Sequence, residues 1–306
     1  MIGSFDRIGF ERHRRHFHTS DLDVDLAGRT ALVTGGNSGL GFATAQALAR
    51  LGAHVVIACR DGDRGARACA QLRESTGSRR IELALLDVSS LDAVRDFTAM
   101  FAPSKLDILV HNAGLLPEAR ALTRDGLELT FATHVVGPHL LTAGLRPKLA
   151  ESPDARIVFV SSGGMYTQRL DLEDLTWERR TYDGVRAYAQ TKRMQVVLAT
   201  RWSEALRGTT AHVYAMHPGW ADTPGVVRSL PVFHALTRAV LRTSAEGADT
   251  IVWLCAVARP PEATGGFFFD RRQVREHLLP WTRETAAQRD ELWRMCQSFV
   301  GEEVGT

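Results

Sequence analysis

The amino-acid sequence predicts an α/β fold: a doubly wound sheet of about seven strands, mostly or wholly parallel, with helices on both faces. Three observations lead there. Short apolar runs at 30–34, 54–59, 81–86, 108–110, 156–160, 211–217 and 267–269 alternate with segments of helical periodicity such as 40–51 and 188–206. Several of these runs are apolar at consecutive positions, as a parallel strand covered on both faces requires. A glycine-rich turn joins the first run directly to the first helix. Such alternation implies βαβ units with right-handed crossovers.

The chain of 306 residues is 44% apolar and 24% charged, the composition of an ordinary globular protein with a sizeable core. Its net charge of +2 gives no reason to expect nucleic acid as a partner. Only Lys105, Lys148 and Lys192 are lysines, against thirty-four arginines, so each lysine is a candidate for a specific role. Cys59, Cys69, Cys255 and Cys296 are widely separated and form no CxxC pair. A reducing, cytoplasmic setting is therefore the expectation. No apolar stretch approaches the ~18 residues of a transmembrane helix, and no signal-peptide core is present.

Residues 1–25 read as an N-terminal arm: basic and histidine-rich from Glu11 to His18, then acidic at Asp21, Asp23 and Asp25. Phe5, Ile8 and Phe17 are candidates for one face of a short helix, packing on the domain or lying on a membrane surface. Residues 26–306 read as one domain. Two long segments, 163–186 and 218–243, follow the carboxyl ends of strands, where open α/β sheets bind ligands.

The turn from Thr34 to Gly41 is the first candidate site. Gly35 permits the tight turn, Gly39 lets backbone approach a pyrophosphate, and Gly41 lets helix and strand pack closely; Asn37, Ser38 and Leu40 complete the loop. Amide groups at the helix start then face the phosphates, the arrangement of a Rossmann-type dinucleotide site. An NAD site usually has an acidic residue at the end of the second strand to hold the ribose 2′-hydroxyl. Here the strand ends at Cys59 and Arg60 follows, a residue able to pair with a 2′-phosphate. NADP(H) is expected over NAD(H), although Arg60 could also be a solvated loop arginine beside Asp61.

Thr34–Gly41 has the TGxxxGxG spacing of the short-chain dehydrogenase/reductase family, and further landmarks follow in order. His111, Asn112, Ala113 and Gly114 resemble the family's NNAG turn. Ser161 and Ser162 end a strand run. Tyr188 and Lys192 form YxxxK, a pairing expected only about 0.04 times by chance in this composition. His217, Pro218 and Gly219, with Thr223, resemble the segment that holds the nicotinamide. The resemblance spans roughly residues 28–270.

The resemblance implies an oxidoreductase that interconverts an alcohol and a ketone or aldehyde by hydride transfer. Tyr188 would be its general acid/base, Lys192 would stabilise the phenolate and hold the nicotinamide ribose, and Ser162 rather than Ser161 would hold the substrate oxygen. An unperturbed tyrosine titrates near 10, so a base at neutral pH needs such help. Asp87 and Val88, after the third strand, would meet the adenine, with loop capping by Asp87 the alternative. The chain departs from the family where it places His134 at the position of a relay asparagine. His134 either carries an altered proton relay or is a satisfied structural histidine.

Val226, Val227, Leu230, Val232, Phe233, Leu236, Val240 and Leu241 make 220–243 apolar; the resemblance implies that this segment lids the site, and an apolar lid points to a lipophilic substrate. The same stripe would equally suit core packing or a contact between copies in a homo-oligomer. Residues 285–300 read as a packing helix. The competing functional reading is a weakly active nucleotide-binding sensor or scaffold, suggested by His134 and His111.

Overall fold

The computed structural model describes residues 5–222, 234–235 and 237–300. After α1 (Arg7–Arg14) the chain alternates β1 (Thr30–Thr34), α2 (Gly39–Arg50), β2 (His54–Cys59), α3 (Gly62–Thr76), β3 (Ile81–Leu85), α4 (Leu91–Met100) and β4 (Ile108–His111). It continues with α5 (Gly137–Ala150), β5 (Ala155–Val160), α6 (Gly184–Ala205), β6 (Ala211–Met216), α7 (Ser244–Ala256), β7 (Phe267–Phe269), β8 (Arg272–Gln273) and α8 (Ala286–Gln297). The strands lie in the order β3-β2-β1-β4-β5-β6-β7-β8. All pair in parallel except β8, which turns back antiparallel on β7 through Phe268 and Gln273. The sheet thus has eight strands where about seven are expected; the extra one is only two residues long, with both side chains exposed, and carries no apolar pattern to read.

Every residue of β1, β4 and β5 is buried. Alternate side chains serve opposite faces. Leu32, Leu109, Ile157 and Phe159 join one core, and Val33, Ile57, Val110 and Val158 join the other. The order reverses between β1 and β4, which leaves a crevice at their carboxyl ends.

Three local departures shape that crevice. α6 begins four residues before Tyr188, because the Asp183 side chain caps it by accepting from Arg186 N at 3.0 Å. Tyr188 therefore sits one turn inside the helix. Before α5 the chain makes one α-turn (Leu129–Phe131) and then a π-helical turn (Ala132–Val136) that carries His134; such turns recur at functional sites. Gly137 follows because a Cβ there would overlap the Val88 carbonyl.

The arm packs differently from its expected pattern. Phe5 lies before α1 and is buried, whereas Ile8 is 61% exposed and Phe17 lies beyond the helix end. Gly9 and Phe10 form the buried face instead, with Phe17 against Phe10 at 6.0 Å. Long-range partners outweigh the helical spacing here: His13 Nδ1 meets Asp270 at 2.6 Å, and Arg242 lies over the Phe10 ring.

Of the apolar stripe over 220–243, Val226, Val227, Leu230, Val232, Phe233 and Leu236 lie outside the described residues, as does Thr223. At its base Leu241 is buried and Val240 O accepts from Arg7 N at 2.8 Å. No described helix is long and apolar enough to cross a membrane.

Candidate active site

The crevice floor is backbone. Gly35 has φ +64° and Gly39 φ +54°, conformations that favour glycine. A Cβ on Gly41 would overlap the Gly35 carbonyl and Asn112 Nδ2. Thr34 and Asn112 lace β1 to β4: Asn112 Nδ2 donates to Thr34 O at 2.9 Å, and Thr34 Oγ1 accepts from the amides of Asn112 and Ala113 at 3.0 and 3.1 Å. Ser38 is the N-cap of α2, yet its side chain caps no amide. The first amides of the helix are left for a ligand, and the helix dipole favours an anionic one. A dinucleotide pyrophosphate fits this cradle.

Arg60, just past β2, is exposed and makes no hydrogen bond or ion pair among the described residues. Its neighbour Asp61 is already engaged as the N-cap of α3, accepting from Arg64 N at 2.9 Å. Asp87 caps its own loop: Oδ1 accepts from Ser89 N at 3.0 Å and from Ser89 Oγ at 2.7 Å. Val88 beside it is buried.

Opposite this cradle, α6 presents Tyr188, Lys192 and Gln195 at positions i, i+4 and i+7, hence on one face. Burial pushes the Tyr188 phenol above its usual range, and the Ser162 hydroxyl beside it pulls the other way by favouring the phenolate. Ser161 is turned away, its hydroxyl donating to Lys192 O at 2.7 Å. Lys192 is 3% exposed and lies over the Tyr188 ring, its Nζ 5.4 Å from the centroid. Nζ donates to Val160 O at 2.8 Å and Gln195 Oε1 at 2.9 Å, and burial lowers its pKa to about 7. For Tyr188, burial outweighs the help that the Ser162 hydroxyl gives the phenolate.

His134 is fully buried, with both ring nitrogens in use. Nε2 accepts from Leu115 N at 3.1 Å. Nδ1 meets Thr191 Oγ1 at 2.8 Å, and that hydroxyl itself donates to backbone carbonyls of α6. The pairing fits a neutral imidazole with its proton on Nδ1. Burial and the Lys192 charge hold its pKa well below the usual histidine range. Both ring nitrogens are thus engaged by protein groups, and His134 ties the Asn112–Leu115 turn to α6. Gly114 passes between it and the lysine, where a Cβ would lie 3.1 Å from His134 Nε2 and 3.7 Å from Lys192 Nζ.

His111 lies against Phe159 with ring centroids 4.6 Å apart and planes tilted by 33°, reaches Thr142 Oγ1 through Nε2 at 2.8 Å, and is lowered to about 3 by burial. Past β6, His217 stacks on Phe269 at 4.1 Å, Pro218 O accepts from Arg242, and Gly219 has φ +75°.

Three contributors escape the motif reading: Phe5, Thr191 and Gln195. Gln195 alone carries a signal, as a polar residue on the buried face of α6 one turn beyond the lysine.

Crevice, glycine cradle and tyrosine–lysine face together define a nucleotide-dependent oxidoreductase. Residues 29–230 match the family model described as short chain dehydrogenase, and the chain belongs to that family. It is 42% identical over 302 residues to dehydrogenase/reductase SDR family member 12 of Bos taurus, covering 98% of this chain and 95% of that one. It is 36% identical to retinol dehydrogenase 13 of Homo sapiens, covering 91% and 86%. A crystal structure of a protein from Mycobacterium paratuberculosis superposes with a TM-score of 0.75 at 28% identity, covering 95% and 99%. The chain is thus an NAD(P)-dependent oxidoreductase acting on alcohol and carbonyl groups of small molecules.

Proposed function

We propose that this chain uses NADP(H) to interconvert a lipophilic alcohol and its ketone or aldehyde, with Tyr188 moving the proton. The observation that carries this reading is the Ser162 hydroxyl beside the Tyr188 phenol, with Lys192 over the ring. The dinucleotide would lie along Gly35, Asn37, Ser38, Gly39, Leu40 and Gly41, past Asp87, Val88, Asn112, Ala113 and Gly114, to Pro218 and Gly219. Arg60, without a partner among the described residues and past the strand end, would meet the 2′-phosphate. When bound, the cofactor supplies or accepts the hydride.

The remaining chemistry belongs to the side chains. Ser162 donates a hydrogen bond to the substrate oxygen and fixes it next to Tyr188. In reduction the phenol gives that oxygen its proton; in oxidation the phenolate removes the hydroxyl proton. Lys192 would hold the nicotinamide ribose and would place positive charge beside the phenolate, offsetting the burial that disfavours it. His134 acts as a positioning residue for the turn and helix around them. Similarity to a retinol dehydrogenase, named for a lipophilic alcohol, supports a substrate of that class.

The test is Tyr188→Phe, assayed for NADPH oxidation against lipophilic aldehydes and ketones. Turnover should fall by about a hundredfold or more, with NADPH affinity kept within a few-fold. Undiminished turnover would sink the assignment.

A further inference from the structure

We propose that the N-terminal arm is part of the catalytic site, with Phe5 acting as the positioning residue that sets the nicotinamide-holding turn against the serine turn. The inference rests on reading His217–Gly219 as that nicotinamide segment. Phe5 is 4% exposed, yet it lies far in sequence from everything it touches. Its ring meets His217 edge-on at 4.6 Å, Trp220 at 6.1 Å and Phe269 at 5.2 Å. Its carbonyl accepts from Trp220 N at 2.7 Å. One residue thereby holds both the ring and the backbone of the segment after β6.

An edge of the same ring also meets the segment after β5. A Cβ on Gly163, the residue after Ser162, would lie 2.9 Å from Phe5 Cε2 and 3.7 Å from His217 Nδ1. A Cβ on Gly219 would lie 2.5 Å from the Phe5 carbonyl. The chain carries glycine at both points where the arm passes, so the close approach is accommodated on both flanks. The phenyl ring acts as a spacer packed against both segments just beyond their β5–β6 pairing, where Ser161 N donates to Met216 O at 2.8 Å: one segment would place the hydroxyl that holds substrate, the other the ring that exchanges hydride. Their separation sets the geometry of the transfer, and errors of about an ångström there reduce rate steeply.

The spacer is itself anchored. Arg242 donates to Asp6 O at 3.1 Å and pairs with Asp270 through two bonds of 2.6 and 2.9 Å. His13 of α1 reaches the same carboxylate at 2.6 Å. These contacts fix the arm to the end of β7 and to the base of the 223–240 segment, independently of the glycine cradle.

The experiment compares two ligands on the full-length protein: NADPH, and 2′-phospho-ADP-ribose, which lacks the nicotinamide. Phe5→Ala should weaken NADPH at least about tenfold, leave the nicotinamide-free ligand unchanged, and lower turnover. Phe5→Leu, which keeps most of the bulk, should recover most of the loss. Unchanged NADPH affinity and turnover in Phe5→Ala would overturn the proposal, as would equal losses for both ligands, which mark a general loss of structure. Failure of the wild-type chain to bind either ligand would instead overturn the nucleotide reading on which the proposal rests.

Discussion

The glycine-rich side of the crevice is assembled from backbone and small side chains, whereas the tyrosine–lysine side is held by side chains drawn from the whole length of the chain. Between Thr34 and Asn112 the donors and acceptors are amides, carbonyls and one side chain on each strand. Across the crevice, the buried Arg193 of α6 donates to Met165 O, Gln168 O and Glu276 O, binding the 163–168 turn and the C-terminal strap together. Arg242 likewise joins the arm, the turn after β6 and Asp270. A site of the first kind is altered by adding an atom. A site of the second kind is altered by removing a partner.

The largest expected effect tests the first half of that contrast. Gly41→Ala places a methyl group against the Gly35 carbonyl and Asn112 Nδ2, both parts of rigid structure. Overpacking should cost about 1–3 kcal/mol of stability, while NADPH affinity falls by more than about a hundredfold because the cradle can no longer close on a pyrophosphate. Binding titration and thermal unfolding on one sample check both. A variant that keeps its affinity would mean that the loop has slack the contacts do not reveal.

Arg242→Met tests the second half. Asp270 is 3% exposed as a side chain and, among the described residues, would keep His13 as its remaining ion-pair partner. Breaking a buried pair from one side costs about 3–5 kcal/mol, read by denaturant unfolding, while 2′-phospho-ADP-ribose should bind as before. A loss confined to that ligand, with stability intact, would reverse the contrast.

The same difference explains what the sequence disclosed. β1 to β7 are legible because parallel strands buried on both faces leave continuous apolar runs, and the end residues differ by one position at most. The glycine cradle is legible because φ and close approach restrict residue type within a short stretch. Tyr188 and Lys192 are legible because one helical turn fixes their spacing. The start of α6 is misread since its cap, Asp183, lies inside a polar loop without apolar period. His134 is visible as a departure, but whether its nitrogens are free depends on Leu115 and Thr191, which only the fold brings to it. Phe5 is visible as an apolar residue of the arm, but what it packs against is not: its partners lie more than 150 residues away, and no local period encodes such contacts.

The smallest expected effect lies where the two halves meet, at Lys192. Its ammonium is buried, and among the described residues two acceptors, Val160 O and Gln195 Oε1, favour its charged form. Burial dominates and brings its pKa to about 7, so at neutral pH the lysine is already partly uncharged. Gln195→Leu removes one acceptor from a charged donor, a contact worth about 1.5–3 kcal/mol. Each pKa unit corresponds to about 1.4 kcal/mol, so the lysine should titrate about one unit lower or more. The sign follows directly: if the cationic lysine supports turnover, activity falls as pH rises through its pKa. That limb of the pH–rate profile should move to lower pH in Gln195→Leu and to higher pH in Gln195→Glu, where a carboxylate faces the ammonium. Near pH 6 the leucine variant should run within a few-fold of the wild type. A limb that stays in place in both variants would show that Gln195 does no more than fill space.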